Sequence, residues 1–305
     1  MSGSIDRRGF IRSLFGITGA LPVAQQMAEA KGQTSFYWCN FKTGQVGFPT
    51  GLFVPSERPG SIMKLVAAAA LIDEGLTHNN ETFECTGTHY VGKEAVHCQN
   101  AHGKIDLVQA IGRSCNIYFA QATKRLTTRA FLAKAAQFGL DKPCAGRASG
   151  PFPEKPIESG SLHYVLGLAS DFKPTALQLM RLAALVAIAP GAKLPVLHSA
   201  ENLDLIDQEK PMVSPLTAES HRVLSAGMRL AATDGTAKKL DTDDKLKIAA
   251  KTGTTPHGNK FQSYVIGYFP FDKPAHAFAL YSPSGTSQDS AVPKAKEFLF
   301  STTWP

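Results

Sequence analysis

Three short groups of residues in this chain have side chains and spacings suited to chemistry. Ser61-Ile62-Met63-Lys64 sets a hydroxyl and an amine three residues apart, hence on one face of a helix. A serine opening that helix carries one of the unpaired N–H donors of the first turn, where the helix dipole favours developing negative charge. Lys64 stands in otherwise apolar sequence, and burial disfavours an ammonium, so a neutral amine able to take the serine proton is chemically reasonable. Ser114-Cys115-Asn116 breaks helical sequence with small polar residues between Ile111 and Ile117. Lys251-Thr252-Gly253-Thr254 ends a β-rich run, where glycine lets another backbone or a ligand approach closely. Each group alone has an ordinary alternative: a helix cap with a snorkelling lysine, a second cap, and a strand running into a turn.

A fourth group is Cys85, Cys98, His102 and Cys115, spaced Cys-x12-Cys-x3-His-x12-Cys. Three thiolates and one imidazole suit a closed tetrahedral site, so these four are candidate ligands of one structural Zn²⁺. Two other readings stay open: a Cys85–Cys98 disulfide, or four unconnected residues filling a core. The chain has five cysteines, so they cannot all pair.

The elements that must position these groups follow from periodicity. Ser35–Phe41 and Val46–Phe48 read as two aromatic strands around Lys42-Thr43-Gly44. Ser61–Glu74 is alanine-rich and apolar on every face, a helix for the middle of a core. Helical patterns recur at Leu107–Gly112, Ile117–Leu126, Arg129–Phe138, Pro174–Ile188 and Pro215–Ala232, so the middle of the chain is expected to be mainly helical. Leu246–Thr252, Ser263–Phe269 and His276–Tyr281 are short β-rich runs, and Ala291–Phe300 reads as a closing amphipathic helix. The fold class is therefore α/β in content (α+β), with an antiparallel sheet built from both chain ends and an inserted, mainly helical lobe over about residues 62–230. A cleft is expected between them. The one long loop is the Pro/Gly-rich run from Cys144 to Gly160.

The 305 residues, 43% hydrophobic, suffice for one large domain and exclude disorder as the main state. The net charge of +7 comes from scattered Lys and Arg with no nucleic-acid signature, and the apolar runs Leu65–Ile72 and Leu182–Ala189 are too short to span a bilayer. Residues 1–30 read as a signal peptide: Arg7-Arg8, the apolar run Leu14–Ala24, then Ala28-Glu29-Ala30. The paired arginine resembles a twin-arginine export signal, and cleavage after Ala30 would leave Lys31 first. An exported protein, periplasmic or at the outer face of the membrane, is expected.

In this order, the three motifs resemble the Ser-x-x-Lys, Ser-x-Asn, Lys-Thr-Gly set of penicillin-binding proteins and class A β-lactamases. The resemblance extends to Pro59-Gly60, His102-Gly103, Phe138-Gly139, Lys173-Pro174-Thr175 and Gly235-Thr236-Ala237, and is strongest to the transpeptidase domain of class B enzymes of the elongation type. It implies a transpeptidase domain over residues 31–305. It also implies a D,D-transpeptidase of D-Ala-D-Ala stem peptides of peptidoglycan, covalently acylated by β-lactams and needing no cofactor for catalysis. Ser61 would be the nucleophile and Lys64 the general base, with Ser114 a proton relay and Asn116 a holder of the substrate amide. Lys251, Thr252 and Thr254, around Gly253, would bind the substrate carboxylate, and the Ser61 and Thr254 N–H groups would form the oxyanion hole. Some elongation-type members carry a metal near the second motif, where Cys115 lies here.

A carboxypeptidase, a β-lactamase, and a non-catalytic β-lactam sensor or cell-wall-binding protein are the alternatives. Glu154 and Glu158 lie in the proline-rich loop without the nearby asparagine expected of a β-lactamase deacylation loop. Class B enzymes usually add a membrane helix and an N-terminal pedestal. Only a few dozen residues precede Ser61 in the expected mature chain, which reads as a free-standing catalytic domain. No protein partner is legible.

Overall fold

The sheet is assembled from the two ends of the chain, where runs rich in aromatic and β-branched residues are buried on both faces. The computed structural model describes residues 33–48, 53–78, 80–154 and 161–304; the expected export segment 1–30 and part of the Cys144–Gly160 loop lie outside them. Strand β1 (Ser35–Asn40) pairs with β2 (Val46–Gly47) through the Lys42–Gly44 turn, whose Gly44 has φ 78°. It also pairs antiparallel with β11 (His276–Ser282), Ser35 opposite Tyr281 and Asn40 opposite His276. Strands β10 (Lys260–Phe269) and β9 (Ala249–His257) complete a five-stranded antiparallel sheet in the order β2-β1-β11-β10-β9.

Alternate residues separate two cores. Phe36, Ala250, Val265, Phe278 and Leu280 face the closing helix α9 (Val292–Ser301), which buries Val292, Ala295 and Leu299 against them. Tyr37, Cys39, Tyr264, Ile266, Ala277 and Ala279 belong to the larger core shared with the helices.

At the centre of that core lies α1 (Lys64–Asp73), buried from Lys64 to Leu71 and preceded by a 3₁₀ turn, Gly60–Met63. Around it stand α2 (Leu107–Gly112), α3 (Asn116–Ala122), α4 (Thr128–Gln137), the short α5 (Leu162–Val165), α6 (Ala176–Ala187), the four-residue α7 (Leu205–Gln208) and α8 (Ala218–Asp234). Their starts are marked by side-chain caps. Asp106 and Gln109 form a capping box on α2, and Thr175 and Gln178 form another on α6. Glycines let two helices meet closely: a Cβ on Gly227 of α8 would lie 2.6 Å from Ile111 of α2, and one on Gly112 would lie 2.8 Å from Leu230.

Short strands that the sequence did not mark interrupt the mainly helical lobe. Strands β3 (Phe83–Cys85) and β6 (Gly103–Ile105) pair with each other, as do β4 (Thr88–Val91) and β5 (Glu94–His97), while β7 (Lys193–Leu194) pairs with β8 (Met212–Val213). These strands are two to four residues long and largely exposed, so they bury too little for an apolar alternation to reveal them. Among the described residues no helix is long and apolar enough to cross a membrane.

Candidate active site

A cleft of about 500 Å³ opens where the 3₁₀ turn, the α2–α3 junction and β9 meet. Ser61, Ser114, Asn116, Thr252 and Thr254, from three separate stretches of chain, share its walls. Ser61 lies in the 3₁₀ turn rather than in the α-helix proper, which starts at Lys64.

Close backbone contacts seat that turn against β9. Gly60 has φ 58°, a region costly for any residue with a Cβ, and its N–H donates to the Gly167 carbonyl at 3.1 Å. A Cβ on Gly253 would lie 2.3 Å from the Pro59 carbonyl oxygen, and one on Gly60 would lie 3.0 Å from the Thr254 nitrogen. The third motif is therefore pressed against the start of the first. Strand β9 is also at the sheet edge, so one row of its backbone groups is not used by β10.

The α2–α3 junction is a Schellman ending. Cys115 N–H donates to the Ala110 carbonyl at 2.9 Å and Ser114 N–H to that of Ile111 at 3.2 Å, with Ser114 at φ 56°. A serine takes the left-handed position that glycine usually holds, which turns its side chain among the lysines at some backbone cost.

Lys64 is completely buried. Its ammonium donates to the Ser114 carbonyl at 2.6 Å and to Asn116 Oδ1 at 2.5 Å, with Ser114 Oγ at 3.5 Å and the Phe119 ring centre at 5.7 Å. Burial pushes this lysine down to about 8, partly opposed by the nearby Cys115 and Cys98. Asn116 is itself held, its Nδ2 donating to the His97 carbonyl at 2.7 Å.

Lys251, also fully buried, donates to Ser114 Oγ at 2.8 Å and to the Thr252 carbonyl at 2.9 Å. Burial, then the charge of Lys64, holds it well below the usual lysine range. Its ammonium thus donates to Ser114, which lines the cleft. The hydroxyls of Thr252 and Thr254 are tied down: Thr252 Oγ1 lies 2.8 Å from Thr236 Oγ1, and Thr254 Oγ1 accepts from the Ser287 N–H at 2.9 Å.

The four candidate metal ligands converge next to the second motif, all four donor atoms within 4.8 Å of one another. Cys98 Sγ and Cys115 Sγ are 3.7 Å apart, and Cys85 Sγ lies 3.3 Å from His102 Nδ1. Two thiolates bound tetrahedrally, each about 2.3 Å from zinc, stand about 3.8 Å apart, so the donor set fits that ion. The reading of four unconnected residues fails. All five cysteines are free thiols in this structure, the Cys85–Cys98 pair included. Cys98 is pushed down to about 5, chiefly by the thiol of Cys115 and further by the N–H groups of Ile117 and Asn116. Cys115, beside it, is pushed up. The Asn116 N–H donates to Cys98 Sγ at 3.2 Å, tying the cluster to the second motif.

Sequence reasoning passed over Arg113, Asp234, Phe261 and Gln288, which also line the cleft. Arg113 and Asp234 each adjoin a recognised motif, Ser114-Cys115-Asn116 and Gly235-Thr236-Ala237. That adjacency is the one signal that could have pointed to them.

Residues 49–300 match the family model described as the penicillin-binding protein transpeptidase domain. The chain is 27% identical over 219 residues to the penicillin-binding protein PbpB of Mycolicibacterium smegmatis, a match that covers 66% of this chain and 34% of that protein. Among solved structures it is similar to the penicillin-binding protein PBP2 of Helicobacter pylori (TM-score 0.73, 18% identity, 92% of this chain and 63% of that one). It is also similar to the complex of that PBP2 with MreC (TM-score 0.73, 17% identity, 91% and 62%). The chain thus spans about a third of the curated relative and less than two thirds of those solved chains.

Proposed function

Because the chain belongs to the penicillin-binding protein transpeptidase family, we propose that it is a serine acyltransferase acting on D-Ala-D-Ala stem peptides of peptidoglycan outside the cytoplasmic membrane. The observation that carries this reading is the meeting of three distant motifs in one cleft, with a buried, easily deprotonated Lys64 between Ser114 and Asn116 and one turn from Ser61. The Arg7–Ala30 segment supports the location.

In this mechanism Ser61 Oγ attacks the carbonyl carbon of the penultimate D-Ala as its proton passes to neutral Lys64. The oxyanion forms between the N–H groups of Ser61 and Thr254, a reading supported by the close approach of Gly60 to Thr254 and of Gly253 to Pro59. The C–N bond then breaks, and Ser114 Oγ, bridging Lys64 and Lys251, hands a proton to the leaving amine. Asn116 holds the donor amide. The acyl-enzyme passes to an amine of a second stem peptide: its nitrogen bonds to the acyl carbon, the ester bond to Ser61 Oγ breaks, and the amine proton passes to that oxygen. β-Lactams acylate Ser61 by the same first attack.

Cys85, Cys98, His102 and Cys115 hold one structural Zn²⁺ in this reading. Held there, the ion would supply no chemistry to acyl transfer, and its four ligands would fix the loop that presents Ser114 and Asn116.

The test is covalent labelling by a fluorescent penicillin, mapped to Ser61, followed by an assay of D-Ala release and dimer formation from pentapeptide substrates. Labelling that persists in Ser61→Ala would refute the assignment. D-Ala release without cross-linked product would shift it to a carboxypeptidase, and labelling without turnover of peptides to a sensor.

A further inference from the structure

A second cavity, of about 520 Å³, shares no wall residue with the Ser61 cleft. One of its walls is the turn after α4, from Gln137 to Ala145, and another is the β7–β8 ladder, where Leu194 stands opposite Met212. Arg181 of α6 lies at its base.

The charge at that base has no counter-ion. Arg181 is 5% exposed, and among the described residues no aspartate or glutamate pairs with it. Three of the five guanidinium N–H donors go to carbonyls of the turn: Nη1 to Pro143 at 2.6 Å, and Nη2 to Lys142 at 2.9 Å and to Gly139. That leaves one hydrogen on Nη1 and the Nε–H, which is buried without a partner. Neutral carbonyls solvate a guanidinium without cancelling its charge, and a buried cation left uncompensated is costly. Closing the turn accounts for the three carbonyl contacts; it does not account for an opening onto the same cation.

The walls define what can enter. Lys142 and Lys210 add positive charge at the exposed rim, where Glu209 is the one acid. Most of the remaining surface is apolar: Leu194 and Leu197 are buried, Met212 is half-buried and Val213 is exposed. A largely apolar cavity of this size with a few charged groups suits a small ligand. Gly139 lets its parts meet. It has φ 73°, and a Cβ there would lie 2.9 Å from Arg181 Nη2 and 3.0 Å from the Met212 methyl.

We propose that this cavity binds a carboxylate with an apolar body, the charge drawn to Arg181 and the body lying against Leu194, Leu197, Met212 and Val213. With one buried cation and Glu209 at the rim, a monoanion matches the site better than a doubly charged phosphate. A free acid and the carboxyl end of an apolar peptide both carry this chemistry.

The experiment follows the Met212 methyl signal in the full chain labelled with ¹³C-methyl methionine, assigned with Met212→Leu. Octanoate should shift it saturably and bind at least about tenfold tighter than octylammonium, which has the body with the opposite charge, or acetate, which has the charge alone. Arg181→Met, similar in length and uncharged, should weaken octanoate about 10- to 100-fold and leave octylammonium no weaker. Arg181 also closes the turn after α4, so a variant at an exposed wall position carries the test if Arg181→Met unfolds. Val213→Asp should keep the parental melting temperature and weaken octanoate at least about tenfold. Acetyl-Leu-Val-Leu and its amide separate the sources: binding of the peptide acid but not the amide assigns the site to peptide ends, and binding of octanoate alone assigns it to free acids. Octylammonium binding as tightly as octanoate, parental octanoate affinity in a folded Arg181→Met or Val213→Asp chain, or no saturable shift at Met212 overturns the proposal. None of these results bears on acylation at Ser61.

Discussion

Ser114 Oγ accepts a hydrogen bond from Lys251 Nζ at 2.8 Å, joining residues 137 positions apart in the chain. The same oxygen lies 3.5 Å from Lys64 Nζ, so one hydroxyl stands between two buried amines. Burial disfavours charge on both lysines, and the charge of Lys64 disfavours it further on Lys251. On the acyltransferase reading, a proton taken from Ser61 would move along Lys64 and Ser114 towards the leaving nitrogen. Ser114→Gly keeps the left-handed backbone at φ 56° and removes the hydroxyl alone. Stopped-flow acylation should slow by about 10²–10⁴-fold, the usual contribution of a positioned acid or base, with the fold retained. A rate within a factor of about three of the parent would remove Ser114 from the proton path.

Lys64 sets the pH dependence. Its folded value is lowered to about 8 from 10.5, and on the acyltransferase reading the neutral form takes the serine proton. The acylation rate should fall about tenfold per pH unit below that value and level off above it. Stability responds in the same direction. Between about 8 and 10.5 the unfolded chain holds more protons than the native one, so the contribution of this group to stability rises with pH across that window. A flat acylation profile from pH 6 to 9 would show that another group takes the proton.

Gly253 tests the seating of the oxyanion hole. A Cβ there would lie 2.3 Å from the Pro59 carbonyl, so Gly253→Ala must move β9 away from the turn that carries Ser61. One displaced oxyanion donor costs about 10²–10³ in rate. Acylation should drop by that factor while circular dichroism stays unchanged. A parental rate would place the oxyanion elsewhere.

The parts legible in the sequence share a local signature. The central helix shows in the apolar run Leu65–Ile72, the five strands in their aromatic and β-branched content, and the motifs in residues three or fewer apart. The contact of Lys251 with Ser114 was not legible, because its direction is set by a register, Lys251 opposite Ile266, that only the sheet defines. Strands β3 to β6 stayed hidden because they bury little, although their turns bring Cys85, Cys98 and His102 to Cys115. Arg113 and Asp234 meet through the packing of α2 on α8, which depends on Gly112, Gly227 and Gly235. No period of either helix marks that contact.

Asp73 anchors the helical side. Its carboxylate binds Lys134 at 2.8 Å, both side chains under a tenth exposed, and accepts from Thr217 Oγ1 at 2.7 Å, linking α1, α4 and the start of α8. Asp73→Ala leaves Lys134 a buried charge without its carboxylate, which typically costs about 3–5 kcal/mol. Denaturant unfolding should show a loss of that size. Lys134→Met with Asp73→Ala should regain part of it, because an apolar pair needs no partner. If the double variant is no more stable than Asp73→Ala, the cost has another origin.

The thiol cluster makes a prediction independent of acyl transfer. Protein purified without chelator should contain close to one zinc per chain, and Cys98→Ser should lose it. Cys98 Sγ accepts the Asn116 N–H at 3.2 Å and Cys115 Sγ accepts that of Tyr118 at 3.3 Å, so the four ligands and the first turn of α3 form one unit. With free zinc about 100-fold above its dissociation constant, binding stabilises the native chain by about 2.7 kcal/mol. At about 2–4 °C per kcal/mol for a chain of this order, chelation should lower the melting temperature by about 5–10 °C. Acylation should slow with it, because Asn116 loses a fixed backbone while holding Lys64. Restored zinc should return both properties, whereas magnesium, which prefers oxygen ligands, should not. Metal-free protein with a mapped disulfide among these four residues would end the zinc assignment and leave Ser61 chemistry untouched.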